Sequence, residues 1–233
     1  MGKGQFAGID QGQYTHCDNG HFVCWNRPDD GAWATLVLAH GAGAPMDSPF
    51  MSEIAERLAA RGIAVCRFEF RYMAERRLSG GKRPPSPAAR LEEEWRAMYA
   101  WVRQQTTGAL AIGGKSMGGR MASLVADELG ADALVCLGYP FYAAGKPEKP
   151  RVAHLGTLRT PTLIVQGERD ALGDRQTVAR YALSTAIELQ WLEAADHDLK
   201  PLKSSGLTHG GHLDSAADAI SAWLSRLLPA PGV

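Results

Sequence analysis

Residues 113–119, with the sequence GGKSMGG, contain two short patterns that belong to different chemistries. The letters GKS are typical of the end of a phosphate-binding loop, and Gly-x-Ser-x-Gly is typical of the turn that carries a nucleophilic serine. A phosphate-binding loop would need its first glycine at position 109, which is Ala109, and residues 110–113 are mainly apolar and strand-like. The spacing therefore excludes a phosphate loop and predicts Ser116 as a nucleophile.

The residues on either side of Ser116 support this interpretation. The apolar run at 109–114 predicts a buried strand, and the apolar spacing from Met117 to Leu129, followed by Gly130, predicts a helix. A nucleophilic serine of this type requires a strand, a sharp turn and a helix, with small residues beside the serine because the turn is crowded. The pattern has this context.

A serine hydroxyl is a weak nucleophile and needs a base, which an acid in turn must orient. The chain offers both groups after later predicted strands, in the order serine, acid, histidine. Asp170 follows the strand at 162–167, and His197 follows the strand at 187–192. Because parallel strands present ligands at their carboxyl ends, we expect both side chains to lie near Ser116.

Other residues compete for these two roles. Glu168 lies closer to the strand end than Asp170, while Asp174 is better interpreted as the N-cap of the next helix. His209 and His212, in the sequence THGGH, are alternatives to His197 as the base. Since they come just before the final predicted helix, we expect them in a surface loop.

The developing negative charge of an acyl-transfer reaction needs two backbone N–H donors. One is expected from Met117, the residue after the nucleophile, and the other from the glycine-rich loop at 40–45. Ala42 is our prediction for the second donor of this oxyanion hole, with Gly41 or Gly43 as alternatives.

Strand-like apolar runs alternate with helical patterns along most of the chain. This alternation predicts an α/β fold with a mainly parallel central sheet and helices on both faces. Segments 5–14 and 21–26 are expected to form an antiparallel hairpin at its edge. The strands are predicted at 35–40, 63–70, 109–114, 133–139, 162–167 and 187–192, and the helices at 49–62, 91–102, 117–129, near 174–184 and at 213–228.

Length and composition limit the class of protein. A chain of 233 residues with 45% apolar and 21% charged residues is expected to form a single domain, 1–233. The 25 basic residues balance the 25 acidic ones, which argues against a nucleic-acid partner.

No apolar run has the length of a membrane span and the first residues do not resemble a secretory signal, so we expect a cytoplasmic protein. The cysteines form no CxxC pair, Cys66 and Cys136 are expected to be buried thiols, and neither a metal nor a cofactor is predicted.

Two further segments and one lysine are interpreted from their charge and composition. Residues 71–90 carry a basic surplus, six Arg or Lys against one Glu, which we interpret as a solvated basic loop. Residues 139–159 are rich in proline and are expected to form a small cap over the site. Cations of both segments are candidates for binding an anionic acyl group. Lys115 is expected to support the turn at Ser116 through a hydrogen bond or an ion pair, for example with Glu69, and the alternative is that it binds an anionic group of the substrate.

The motifs HGAGA, GGKSMGG, GERDALG and ADHDL together resemble those of the α/β-hydrolase superfamily. Within it, the chain is most similar to the small dienelactone-hydrolase-like proteins, and specifically to the branch of the testis-expressed and chromatin-complex-subunit hydrolase-like proteins. The resemblance extends from about Thr35 to Leu228. It implies a single α/β-hydrolase domain with a nucleophile, base and acid at Ser116, His197 and Asp170. Dienelactone hydrolases proper use cysteine as the nucleophile, so their substrate is not transferred to this chain.

The sequence thus predicts a serine hydrolase that cleaves an ester, a thioester or a related acyl bond through an acyl-enzyme. Its partner would be a small acyl substrate, and its oligomeric state is not predicted. The alternative is a catalytically silent binding or scaffold protein on the same fold, because the resemblance includes members that act as assembly partners and because a fold does not determine a function.

Overall fold

The computed structural model describes residues 15–228, and all structural statements refer to this part of the chain. Its ten strands are β1 Thr15–His16, β2 Phe22–Asn26, β3 Ala34–Ala39, β4 Ile63–Phe68, β5 Ala109–Lys115, β6 Ala133–Leu137, β7 Tyr142–Ala143, β8 Lys146–Pro150, β9 Thr162–Gly167 and β10 Ile187–Leu192. Its α-helices are α1 Pro49–Ala59, α2 Arg71–Ser79, α3 Ala88–Arg103, α4 Met117–Leu129, α5 Arg175–Val178 and α6 His209–Leu227. None of these helices is long and apolar enough to cross a membrane.

Eight of the strands form one sheet in the order β1-β2-β4-β3-β5-β6-β9-β10. The six strands from β4 to β10 are parallel to one another, while β1 and β2 are antiparallel at one edge. The predicted mainly parallel sheet is therefore confirmed. The edge hairpin pairs 15–16 with 22–26, and the segment 5–14 that was predicted for it lies outside the described residues.

The continuous apolar strands are explained by helices on both faces of the sheet. Successive side chains of a strand point to opposite faces, and in β3 Leu36 and Leu38 pack against α1 and α6 while Val37 packs on the side of α3 and α4. Burial on both faces removes the alternation of polar and apolar residues that a half-exposed strand would show. Cys66 and Cys136, which lie on two of these strands, are buried free thiols, as predicted.

The register of the parallel strands brings four loops to one edge of the sheet. Ala39 pairs with Gly114, so the loop after β3 and the turn after β5 leave the sheet side by side. Gly167 pairs with Leu192 in the same way, so the loops after β9 and β10 also start together. The loops that carry the predicted site residues thus meet at the carboxyl ends of the strands.

The predicted basic loop at 71–90 is wrong in its first half, because residues 71–79 form α2. This helix buries only Tyr72 and Met73, which gives a weak apolar pattern among many charges. Its first N–H group, that of Arg71, donates to the buried carboxylate of Glu94 in α3 at 2.8 Å. A helix end that is capped by a distant residue has no local sequence signal.

Two other boundaries differ from the prediction. The helix expected near 174–184 is only the single turn α5, and the final helix starts at His209 instead of 213. Thr208 caps that final helix, since its side chain accepts the N–H of Gly211 at 3.1 Å. The THGGH segment is therefore the first turn of a helix, and the expected surface loop is wrong.

The segment 139–159 does not cover the candidate site. It forms the hairpin β7–β8 and a short 3-10 turn at Ala153–Gly156. Tyr139 and Phe141 are fully buried and pack against each other with ring centroids 4.9 Å apart. These aromatic side chains hold the segment onto the domain and are part of its core.

Candidate active site

Ser116 occupies a strained turn between β5 and α4. Its φ of 52° and ψ of −116° lie in a region that non-glycine residues rarely adopt. A Cβ atom on Gly118 would lie 2.6 Å from the carbonyl oxygens of Ala39 and His40, and one on Gly114 would lie 2.7 Å from the backbone of Gly119. The two glycines of the motif thus allow α4 to start directly against β3, which fixes the serine at the end of the sheet.

The structure brings the three predicted side chains into one hydrogen-bonded series. The Nε2 atom of His197 lies 2.9 Å from the Oγ atom of Ser116, and its Nδ1 atom lies 2.8 Å from Oδ2 of Asp170. Because an ionised carboxylate only accepts, Nδ1 carries the hydrogen in this arrangement and Nε2 is left to accept one from the serine. The contacts are those that a Ser-His-Asp triad requires.

The carboxylate of Asp170 is fully buried and held by further donors. Its Oδ1 atom accepts the N–H of Leu172 at 2.7 Å, and its Oδ2 atom accepts from Nε2 of Gln166 at 2.8 Å. The same nitrogen of Gln166 also lies 3.2 Å from the carbonyl oxygen of Tyr139 and 3.1 Å from that of Gly173. Gln166, on β9, was not singled out from the sequence, because a buried glutamine inside an apolar strand gives no spacing signal.

The competing acids lie elsewhere. Asp174 caps α5, accepting the N–H of Thr177 at 3.0 Å, as the sequence predicted. Glu168 pairs with Arg175 and accepts the N–H of Ala194 at 3.1 Å. Both carboxylates therefore bind partners in α5 and the neighbouring loops, and it is Asp170 that contacts His197.

The alternative histidines also have other partners. The Nε2 atom of His209 lies 2.9 Å from the carbonyl oxygen of Asp198, and Nδ1 of His212 lies 2.9 Å from the carbonyl oxygen of Leu199. Both rings thus contact the backbone of the loop that follows His197. These contacts connect the first turn of α6 to that loop.

The loop after β3 is held from below by His40. This ring is fully buried, and burial lowers its pKa below the ordinary value. Its Nε2 accepts the N–H of Phe70 at 3.1 Å, so Nδ1 donates to the carbonyl of Gly41 at 2.7 Å. In a trans peptide the N–H points opposite to the carbonyl. His40 therefore fixes the direction of the N–H of Ala42, the predicted oxyanion donor.

Tyr72 of α2 holds the same loop from the other side. Its hydroxyl donates to the carbonyl oxygen of Ala42 at 3.0 Å, and it also lies 3.4 Å from that of Gly41. Met117 is the first residue of α4, where the N–H has no acceptor within the helix. The roles of Ala42 and Met117 in an oxyanion hole remain predictions.

The predicted ion pair between Lys115 and Glu69 is wrong. Glu69 instead pairs with Arg77, at 2.8 Å, and accepts the N–H of Met46. The Nζ atom of Lys115 lies on the opposite side of the turn, 2.8 Å from the carbonyl oxygen of His197 and 3.3 Å from Oδ1 of Asp198. The sequence could not reveal these partners, because they are 82 and 83 residues away along the chain.

A cavity of about 250 Å³ opens beside Ser116. Within the described residues, nothing from 139–159 lines it, and no group of three or more His, Cys, Asp or Glu side chains is arranged to hold a metal ion. Its lining is Gly41, Ala42, Gly43, Ala44, Ser48, Phe50, Met51, Lys115, Ser116, His197 and Asp198.

Several solved structures share this architecture. The chain aligns with an α/β serine hydrolase without lid from Xanthomonas campestris at a TM-score of 0.70 and 24% identity, covering 94% of this chain and 95% of the other. A dienelactone hydrolase from Anabaena variabilis gives 0.68 and 21%, covering 92% and 95%. The Est1E protein of Butyrivibrio proteoclasticus, with ferulic acid bound, gives 0.69 and 15%, covering 92% and 98%.

At these identities the likeness establishes the fold, which is the α/β-hydrolase fold that the sequence predicted. The family model described as "alpha/beta hydrolase domain" matches residues 32–225 of the chain. The match does not address the testis-expressed branch, which stays a prediction. Most of the chain, including all four loops of the candidate site, lies within the matched range, and the chain therefore belongs to the alpha/beta hydrolase domain family.

Proposed function

We propose that this protein is a serine hydrolase, of the carboxylesterase or thioesterase type, that cleaves an acyl bond through an acyl-enzyme on Ser116. The single observation that carries the proposal is the continuous contact from Ser116 through His197 to the buried carboxylate of Asp170. The similarity to esterases and serine hydrolases of the same fold supports it.

In the proposed reaction, Nε2 of His197 takes the proton of Ser116 as its Oγ atom attacks the acyl carbon. The carboxylate of Asp170 stabilises the imidazolium that forms and keeps the ring oriented. The same proton then passes to the departing alcohol or thiol, which leaves the acyl group on Ser116. A water molecule, deprotonated by His197, attacks this ester and restores the free serine while the carboxylic acid departs.

The negative oxygen of each tetrahedral intermediate is proposed to accept from the N–H groups of Met117 and Ala42. Such donors are effective because they are already oriented before charge develops. The hydrogen bond of His40 to the carbonyl of Gly41 supplies this orientation for the N–H of Ala42, and the bond of Tyr72 to the carbonyl of Ala42 holds the next peptide of the loop. Removing one donor of this kind costs about 3–4 kcal/mol of transition-state stabilisation.

The cavity supports a small acyl group as the substrate's reacting part. An engineered cavity of about 150 Å³ is enough to bind benzene, so about 250 Å³ has room for a short aliphatic or an aromatic acyl group. Phe50 and Met51 supply apolar walls. The only exposed carboxylate of the described lining is that of Asp198, and this disfavours an anionic acyl group in the cavity itself.

The proposal is tested with a fluorophosphonate probe and a panel of acetyl, butyryl, octanoyl and aromatic esters and thioesters. We expect the folded protein to be labelled at Ser116, as located by peptide mass spectrometry, and to turn over at least one short substrate. Ser116→Ala should lose both labelling and turnover while its melting temperature stays close to that of the parent. An unlabelled parent protein with no turnover would overturn the proposal and leave the binding-protein alternative.

A further inference from the structure

Lys115 is a buried cation that the proposed reaction does not use. Its side chain is only 8% exposed although it lies beside the candidate cavity. Burial lowers the pKa of this ammonium, and the carboxylate of Asp198 opposes that shift. Burying a cation is costly unless its hydrogens have partners. Its contacts therefore indicate what this lysine does.

Two of the three hydrogens of the ammonium have acceptors in the structure. One hydrogen goes to the carbonyl oxygen of His197 at 2.8 Å and a second to Asp198 at 3.3 Å. The remaining side of the ammonium faces the ring of Phe50, with the centroid 5.4 Å away. The shortest of these contacts is the one to the carbonyl oxygen of His197, so the ammonium is directed toward the backbone of the base.

The space around this carbonyl is also restricted on the side of β6. Gly138 has a φ of +62°, and a Cβ atom built on it would lie 2.7 Å from the carbonyl oxygen of His197 and 3.2 Å from Nζ of Lys115. The absence of a side chain at Gly138 lets the His197 backbone approach the lysine. Lys115, at the end of β5, and Gly138, directly after β6, thus define one position for this carbonyl.

From these contacts we infer that Lys115 is a positioning residue that holds the backbone of His197 at a fixed distance from Ser116. Lys115 and Ser116 are adjacent in the chain, so a bond from the ammonium to His197 connects the nucleophile's strand directly to the loop of the base. The inference rests on the proposed function. It assigns the lysine of the GKS pattern to the alignment of the reacting groups, with no phosphate involved.

The effect that we expect from removing the Lys115 ammonium follows from the geometry of proton transfer. The 2.9 Å contact between Nε2 of His197 and Oγ of Ser116 is needed for the base to act, and a displacement of about 1 Å can reduce a rate ~100-fold. Without the ammonium, the loop at 193–198 keeps its attachment to Asp170 but loses its link to β5. The apolar walls of the cavity, Phe50 and Met51, are unchanged by the substitution, so we expect substrate binding to change little.

The test compares Lys115→Met with Lys146→Met, a matched control on the exposed strand β8 that does not line the cavity. Steady-state kinetics on the best short ester are normalised to the number of sites that react with the fluorophosphonate probe, so that unfolded protein does not count. We expect Lys115→Met to lower kcat about 10–100-fold with KM within about threefold, and Lys146→Met to change neither. A second variant, Lys115→Gln, keeps an N–H donor and should retain more kcat than Lys115→Met.

Three outcomes decide the matter. If the parent protein is active and Lys115→Met has an unchanged kcat per titrated site, even with a lower melting temperature, the lysine is only structural and the inference is overturned. If KM rises and kcat does not fall, Lys115 binds substrate instead, which also overturns it. If the parent protein neither reacts with the probe nor turns over any ester, the proposed function itself has failed.

Discussion

In the proposed chemistry, Asp170 must hold the ring of His197 in one orientation and in one tautomer. Its carboxylate is fully buried, and both oxygens accept hydrogen bonds, from His197, Gln166 and the N–H of Leu172. Each of these contacts fixes the orientation of the carboxylate, and the contact with His197 fixes the tautomer of the ring. A side chain with the same shape and a different hydrogen-bonding capacity is therefore a sharp probe of this residue.

Asp170→Asn is expected to reduce kcat by about 10⁴-fold, the loss seen when a serine protease carries the equivalent change. The amide replaces one acceptor by a donor, so the ring is no longer held with the hydrogen on Nδ1. The measurement is kcat on a short ester, with circular dichroism to verify folding.

Asp174→Asn is the matched control for this change. Asn is as good an N-cap as Asp, and the contacts of Asp174 are to α5 and to the hydroxyl of Tyr142. We expect its kcat to stay within about threefold of the parent value. Equal losses in both variants, or a larger loss in Asp174→Asn, would contradict the assignment of the acid.

Among individual residues, the sequence allowed the candidate site residues at the ends of strands to be predicted. It did not reveal those inside buried segments. Ser116, Asp170 and His197 each follow an apolar run, and the order of the three restricted the choice. His40 and Gln166 contact the same site from within buried segments, where nothing in the spacing separates them from packing residues. The predicted partner of Lys115, Glu69, was wrong for a related reason. Only the fold determines which of several acidic or carbonyl groups lies near the ammonium.

Among the elements, the contact between β3 and the start of α4 determines the geometry of the elbow, which is the strained turn at 114–118 that carries Ser116. The positions of the carbonyls of Ala39 and His40 leave no space for a side chain at Gly118. The strand ends, the glycines and the helix that follows could be predicted because apolar periodicity and turn residues are local signals. The helix α2 was missed because its stabilising contacts, through Glu94 and two buried side chains, are not local.

Gly118→Ala is expected to destabilise the protein in spite of the better helix propensity of alanine. That propensity gains at most about 1 kcal/mol, whereas overpacking against fixed groups costs typically about 1–3 kcal/mol. The new methyl group would meet backbone carbonyls at 2.6 Å, which cannot rotate away. We therefore expect a net loss of about 1–2 kcal/mol in urea unfolding, together with a lower kcat, because the elbow must move.

Gly108→Ala provides the comparison within the same strand–helix unit. A Cβ atom at Gly108 would have no heavy atom within 4 Å, and the residue is exposed. Its free energy of unfolding should stay within about 0.5 kcal/mol of the parent value. If Gly118→Ala is as stable and as active as Gly108→Ala, the packing of α4 against β3 does not constrain the elbow.

For the molecule as a whole, buried histidines predict how stability depends on pH. Burial lowers the pKa of His40, and burial together with the nearby Arg120 lowers the pKa of His154 to about 4. Both values lie below the ~6.5 of an unfolded histidine. Below about pH 6.5 the unfolded chain therefore binds more protons at these histidines than the native protein does, so their contribution to stability is full above about pH 6.5 and declines as the pH falls.

The last prediction isolates the contribution of His154, whose Nε2 lies 2.8 Å from the hydroxyl of Ser123. A histidine with a native pKa of about 4 loses on the order of 1–2 kcal/mol of stability between pH 7.5 and pH 5. His154→Gln keeps a polar group near Ser123 but cannot titrate. Over this interval its free energy of unfolding should therefore fall by about 1–2 kcal/mol less than that of the parent protein.

Ser123→Ala is the control, because it removes the hydrogen bond and retains the ring. The pH dependence of its stability should stay close to that of the parent. Urea unfolding at pH 7.5, 6 and 5 measures all three proteins, and parallel curves for His154→Gln and the parent would show that this ring does not couple protonation to folding. Carboxylates do not obscure the result, because their unfolded pKa values near 4 place their main contribution below the interval.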